Sequence, residues 1–339
     1  MKIRSLLIGA ALVALAGPAW AQDKTVNLKL SHWVPATHPL QKAMEEWGAS
    51  VEKASGGTIK TQVYPAQQLG KAQDHYDMTR DGIIELSYIN PGFQPGRFPI
   101  VSAGELPFMF GDAKAGIAAF DKWYRKYAAT EMKDVKYCFG FVLDPVRLHG
   151  RAKKIVVPGD VKGLKVRPSQ ATFASWVTLL GGTNVQAGPS EMGDLLTKGV
   201  VDAVTSPWGS VTLLGIDKGT KYHLDIPLAT ATFQWIMNPK VYASMSPAQK
   251  KVIDDHCTTE WAVKFAGPWV EYEAAGVSKL KGMEGHEVYS ATPEQVVEWK
   301  KTGEPLTKQW ADGVRKVGGD PDAIMKELRT SLDHEKASY

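Results

Sequence analysis

VKGLKVRPSQ (161–170) and LLGGTNVQAGPSEMGDLLTKGVVDAVTSPW (179–208) are the stretches that decide the fold. A short apolar run around Val166 ends on Arg167 and Pro168. A helical stretch follows, then a second strand predicted at Asn184 to Ala187. A helix opens at Pro189-Ser190-Glu191 and stops at Lys198-Gly199, and a third strand runs from Val200 to Val204. Strand, helix, strand, helix, strand is the alternation of an α/β domain with a parallel sheet. Arg167 falls at the C-terminal end of a strand, where open α/β sheets bind ligands. A guanidinium fixed there offers a planar, two-pronged partner for a carboxylate.

The N-terminal half repeats the alternation. Asn27–Ser31 reads as a strand, Leu40–Ala54 as a helix stopped by Gly56-Gly57, and Thr58–Tyr64 as a second strand. A helix over Gly70–Asp81 and a strand over Ile83–Ile89 follow. Asn90 to Gly96 is turn-rich. Ala113–Ala129 is helical and Val135–Val142 a strand, and the break at Asp144-Pro145 reads as a crossing between lobes. Past Trp208, Thr230–Met237 alternates as a strand. Ser246-Pro247 has the signature of a helix start, with the helix running toward Ala275 and kinked at Gly267-Pro268. Thr292-Pro293-Glu294 opens another helix in the same way.

Residues 1–21 have a basic start (Lys2, Arg4), an apolar run from Leu6 to Ala16 and the small-residue site Ala19-Trp20-Ala21, the pattern of a secretory signal peptide. The run is shorter than the ~20 residues a spanning helix needs. Removing it leaves 38 basic against 36 acidic residues, which is no nucleic-acid footprint. The chain has two cysteines, Cys138 and Cys257. In an oxidising compartment they are either a disulfide or two buried thiols that never meet; spacing does not decide.

Taken in order, LKLSHWVPATHPL (28–40), YPAQQLGK (64–71), GLKVR (163–167) and GVVDAVTSP (199–207) resemble the DctP-type solute-binding proteins, periplasmic receptors of tripartite ATP-independent periplasmic (TRAP) transporters. The resemblance covers nearly all of the mature chain. It implies an α/β, two-lobed periplasmic binding protein fold with crossing strands and a long inter-lobe helix. Residues 22–144 and about 231–270 would form lobe I. Residues 145–230 and about 271–339 would form lobe II with the C-terminal helices. It implies a small organic acid in a cleft that closes by hinge motion, a TRAP membrane permease as partner, a monomer, and no cofactor. Arg167 then pairs with the ligand carboxylate, and Arg147 stands where a second arginine often does. The family's V-D-G-x-E-x-P segment appears as Val201-Asp202-Ala203-Val204-Thr205-Ser206-Pro207. The absent acid, with Ser206 where some sugar-acid binders carry an amide, argues against a sialic-acid-like ligand.

The other candidates sit at strand ends or in adjoining loops. Trp33, Tyr88, Phe93, Trp208 and Trp235 offer aromatic faces, each of which is core or ligand platform. Gln68, Asn90 and Gln234 offer amides, and His32 or His38 a ring nitrogen, with Ser206 beside them. Two histidines six apart without a third ligand do not make a metal site. An enzyme is the rival class. Ser50-Val51-Glu52-Lys53 and Lys301-Thr302-Gly303 match S-x-x-K and K-T-G, but Ser50 lies deep in a helix and Lys301 ends one, the wrong context for that chemistry. Arginine with several aromatics suits a monocarboxylate with an apolar or ring-bearing body better than a polyhydroxylated sugar acid. Aromatic or branched aliphatic acids are expected to outcompete uronates.

Overall fold

The computed structural model describes residues 23–339, so the signal-peptide region lies outside the described residues. The first lobe begins with β1 (Val26–Ser31), α1 (Pro39–Ala54), β2 (Ile59–Tyr64), α2 (His75–Asp81), β3 (Leu86–Ile89), α3 (Ala113–Glu131) and β4 (Lys136–Val142). The chain then crosses to a second sheet through β5 (Val146–Gly150), β6 (Lys165–Arg167), α4 (Ala171–Leu179), β7 (Thr183–Asn184), α5 (Met192–Thr197), β8 (Ala203–Ser206), α6 (Trp208–Leu213) and β9 (Tyr222–Ala229). It returns with β10 (Thr232–Met237), α7 (Pro239–Ser244), α8 (Pro247–Asp255) and α9 (Thr259–Lys281), and closes with β11 (Glu287–Tyr289), α10 (Pro293–Lys316) and α11 (Pro321–His334).

The strands form two sheets, ordered β2-β1-β3-β10-β4 and β11-β9-β5-β8-β6-β7. β1 pairs in parallel with β2 and β3, whereas β10 runs antiparallel between β3 and β4. In the second sheet β6, β7 and β8 are parallel and β5 is antiparallel to both neighbours. The crossings lie side by side: Thr230 Oγ1 donates to the Leu143 carbonyl at 2.5 Å.

Local sequence explains the elements. α1 starts where His38 Nδ1 accepts the Leu40 N–H at 3.0 Å, with Pro39 at the first turn. Its apolar residues Leu40, Met44, Trp47 and Val51 fall on one buried stripe. Trp47 crosses to donate its indole N–H to the His256 carbonyl at 2.9 Å. Gly56 and Gly57, with φ of 61° and 81°, turn the chain into β2. α9 is the long helix linking the lobes. It packs on α1, α3 and β4 and, further along, on α6 and β11. Pro268 lies inside it.

Several boundaries differ from the sequence reading. The helix expected from Pro247 toward Ala275 is two helices, because Thr258 accepts the Trp261 N–H at 3.3 Å and begins α9 anew. The stretch expected to be helical from Gly70 starts only at Ala72, as a 3-10 turn before α2. Ile83, 54% exposed, lies outside the strand that starts at Leu86. β7 is two residues long, and β8 occupies Ala203–Ser206 because its pairing with β6 begins at Ala203 opposite Val166. β9 was not foreseen. Pro227 reads as a strand breaker, yet it sits beyond the three residues that pair with β11, where no ladder bond is asked of it on that edge. The C-terminal tail does not belong wholly with the second sheet. α10 packs on α4, where Trp176 donates to Thr302 Oγ1 at 3.0 Å, but α11 packs on α3, where Trp123 donates to the Ile324 carbonyl at 3.3 Å.

Cys138 on β4 and Cys257 between α8 and α9 are disulfide-bonded, closing a sequence separation of 119 residues.

Candidate binding cleft

A cleft enclosing about 610 Å³ of non-atom space, its open mouth included, lies between the two sheets. The first lobe contributes Trp33, Val34, His38, Tyr88, Asn90, Phe93 and Phe233, and α9 contributes Trp269. The second lobe contributes Arg167, Ser169, Met192, Thr205, Ser206, Ser210 and Leu214. Leu143, Asp144 and Val146 come from the crossing.

The first-lobe wall is aromatic. Trp33 stacks on Tyr88 with centroids 4.1 Å apart, and Tyr88 stacks on Phe233 at 5.0 Å. Phe93 leans on Trp33 at 5.5 Å, and Trp269 meets Phe233 at 5.4 Å. Such packed rings form a rigid apolar surface whose faces and edges suit another ring. His38 joins them edge-on to Trp269 at 4.5 Å. Because its Nδ1 accepts from Leu40, the neutral ring carries its proton on Nε2, and burial pushes its pKa down to about 3. Asn90 uses its carbonyl oxygen on the Gly92 N–H at 2.8 Å, which leaves the amide nitrogen as the free donor.

Opposite stands Arg167, 2% exposed at the end of β6. The strand end is pinned from both sides: Ser169 N–H donates to Thr205 Oγ1 at 2.8 Å and Gln170 to the Thr230 carbonyl at 2.9 Å. Nε and Nη2 of Arg167 both donate to the Ala187 carbonyl, at 3.1 and 2.7 Å. Nη1 meets only the Met192 sulfur, at 3.4 Å. Among the described residues no carboxylate forms an ion pair with it, and burial pushes its pKa down to about 10. A buried cation without a counterion is costly, and it is the natural partner of an incoming anion.

Ser206 lines the cleft on β8, its hydroxyl enclosed and without a hydrogen-bond partner. Its carbonyl accepts from His149 Nε2 at 2.9 Å. That bond settles the tautomers of a buried imidazole chain. His149 Nδ1 must accept from His223 Nδ1 at 2.9 Å, and His223 Nε2 from His286 Nδ1 at 2.9 Å. At the rear, Glu273 of α9 accepts from Ser210 N–H at 2.7 Å and from the Trp269 indole at 2.8 Å; burial pushes its pKa up to about 7.

The structure thus brings Arg167, Trp33, Tyr88, Asn90, Phe93 and Ser206 to one cleft. His38, the alternative to His32, lines it too, and the remaining sequence candidates lie elsewhere. Arg147 is held by Asp225 at 3.3 Å and Asp144 at 3.8 Å and contacts the Pro145 carbonyl, so it braces the wall from behind. Trp208 packs on His149 at 5.4 Å, beneath that guanidinium. Trp235 faces the same side as Phe233 two residues deeper and meets Trp47 at 5.6 Å, while Gln234 is buried on the opposite face of β10. His32 is buried off the cleft against Gln41 at 2.7 Å, and Gln68 is exposed. Sequence reasoning missed Asp144, Phe233 and Trp269 as wall residues. The alternation of β10 pointed to Phe233; nothing local marked the others.

The profile of the DctP family, described as bacterial extracellular solute-binding protein family 7, matches residues 30–313. The C4-dicarboxylate-binding periplasmic protein DctP of Rhodobacter capsulatus is 21% identical, covering 96% of this chain and 97% of that protein. A TRAP solute-binding protein of Rhodoferax ferrireducens, solved with copurified benzoate, superposes with a TM-score of 0.86 at 27% identity over 92% of this chain and 99% of its own. A marine-metagenome TRAP solute-binding protein specific for aromatic acids, solved with 3-hydroxybenzoate, gives 0.85 at 30% identity over 92% and 99%.

Proposed function

We propose a ligand for a chain that belongs to the bacterial extracellular solute-binding proteins of family 7: an organic monocarboxylate with an aromatic or otherwise apolar body. The observation that carries this reading is Arg167. It is a buried guanidinium whose Nη1 meets only the Met192 sulfur, with no carboxylate in ion-pair range among the described residues, and it faces stacked aromatic rings. A carboxylate supplies the missing counterion through charge-assisted hydrogen bonds. A ring or branched chain fills the apolar remainder, where the wall has few polar groups to pair with a sugar's hydroxyls. The aromatic acids bound by the Rhodoferax and metagenome proteins support the same class.

The receptor hands its ligand to a TRAP permease, and the signal in residues 1–21 delivers it to the periplasm. Family and fold support a binding role over the rival enzyme. The test is a thermal-shift screen followed by calorimetry. A ligand at about a hundred times its Kd adds about 2.7 kcal/mol to stability, so benzoate or a relative should raise the melting temperature and bind one to one without turnover. A protein that ignores every aryl or branched carboxylate but responds to D-glucuronate or a neutral sugar refutes the reading.

A further inference from the structure

We infer that Asp144 reads the far end of the ligand, accepting a hydrogen bond from a hydroxyl on the bound ring and rejecting a second carboxylate. This rests on the monocarboxylate reading above and narrows it. Asp144 is the one acidic residue lining the cleft among the described residues. Its Oδ2, fully enclosed, turns to Arg147 and accepts no hydrogen bond, while the side chain as a whole keeps 16% exposure. The nearest cation, Arg147, stands 3.8 Å away, beyond hydrogen-bond range, and is shared with Asp225 and with the Pro145 carbonyl. One arginine between two aspartates leaves this end of the cleft net negative.

Arg167 marks the other end. Asp144 stands two residues before β5, and Arg167 ends β6; β8 lies between the two strands in the sheet. Two interstrand spacings separate their backbones laterally by roughly 10 Å, so one small ring acid has its two ends near different groups. A neutral donor at the Asp144 end gives the exposed part of this carboxylate a hydrogen bond. A bare ring leaves it without that donor. A second carboxylate meets a like charge in a water-poor space. The cleft is therefore built for a hydroxylated aryl monoacid and against a dicarboxylate, unlike the C4-dicarboxylate-binding relative.

Calorimetry with benzoate, 3- and 4-hydroxybenzoate and the two corresponding benzene dicarboxylates tests this on the wild type and on Asp144→Asn. The better hydroxy isomer should bind the wild type at least about tenfold tighter than benzoate, and its dicarboxylate counterpart at least about tenfold weaker. Asp144→Asn should bring the hydroxyl preference within about threefold and improve dicarboxylate binding relative to benzoate about tenfold. Should that variant not fold, the wild-type order alone decides. Hydroxybenzoates and benzoate within threefold of each other, or ratios unchanged in Asp144→Asn, overturn the Asp144 assignment and leave the monocarboxylate reading standing. A wild type that binds none of these monoacids overturns both.

Discussion

Replacing Arg167 with methionine should separate stability from function. In the unliganded protein the guanidinium is buried, and its pKa falls from 12.5 to about 10. That fall corresponds to about 3 kcal/mol of penalty on holding the charge in the interior. Against it stand two hydrogen bonds to Ala187, whose loss costs about 1–3 kcal/mol for the carbonyl left behind. The two nearly cancel, so Arg167→Met should leave the unliganded melting temperature within a few degrees of wild type or raise it. With ligand the ledger changes sign. A desolvated carboxylate that loses its charged partner forfeits about 2–5 kcal/mol, which is about 30-fold to several thousand-fold in Kd. Arg167→Lys should recover little, since one ammonium cannot hold Ala187 and a bidentate carboxylate together. Calorimetry and differential scanning calorimetry on the same preparations check both halves. Near-wild-type affinity for benzoate in Arg167→Met, or a large fall in unliganded stability with affinity retained, would mean that Arg167 is a structural brace.

Three further outcomes follow from the geometry. Phe93→Ala removes a half-buried ring that leans on Trp33 and lines the cleft; it should weaken aryl carboxylate binding by about 2- to 10-fold, an aromatic pair being worth about 0.5–1.5 kcal/mol, and equal affinities by calorimetry would remove Phe93 from the site. Breaking the Cys138–Cys257 bond, which spans 119 residues, should cost about 5 kcal/mol on a chain-entropy account, read as a lower denaturation midpoint for Cys138→Ser/Cys257→Ser. Stability should also fall as pH drops from 7 to 5. Six histidines (32, 38, 75, 149, 223 and 256) have pKa values lowered by burial, so the stability tied to their neutral forms is present above 6.5 and lost below it. Glu105, Glu131 and Glu273, pushed up to about 7, act oppositely, adding stability below 4.5 that is lost as pH rises through 7. Asp144, pushed up to about 6, acts with these carboxyls; the six histidines outnumber the four carboxyls, and a melting temperature that climbs on acidification contradicts this balance.

Residues 161–208 were readable because their periods change where glycine or proline interrupts them. Gly199, with φ of 67°, ends the α5 segment where the sequence says it should. Strand ends were readable for the same reason, which is why Arg167, Tyr88, Asn90 and Ser206 could be assigned to one rim. What failed were features set by distant contacts. Asp144 looked like part of a proline break, because its place in the wall depends on how the crossing brings the two sheets together. Trp269 sits on a helix more than a hundred residues from Arg167, and its place in the wall depends on how α9 crosses both lobes. Trp235 and Gln234 lie on a strand that ends at the cleft, but one is too deep and the other faces away. Register decides such cases, and pairing partners are not written locally.

The adjacency of the two strand crossings bears on mechanics. Two bodies joined at a single point can swivel in any direction; joined also at a second, separated point, they keep one axis of rotation. Here Leu143 and Thr230, tied by the Thr230 hydroxyl, would act together as one pivot in a lobe rotation, and α9 would supply the other. A rigid rod through both bodies resists such turning unless it can flex. Pro268 gives α9 its compliant turn, because a proline nitrogen cannot donate to the Lys264 carbonyl four residues back. The next residue is Trp269, part of the cleft wall. The bearing of the door is thus one residue from a surface the ligand would touch, and any angular travel between the lobes moves that indole with it.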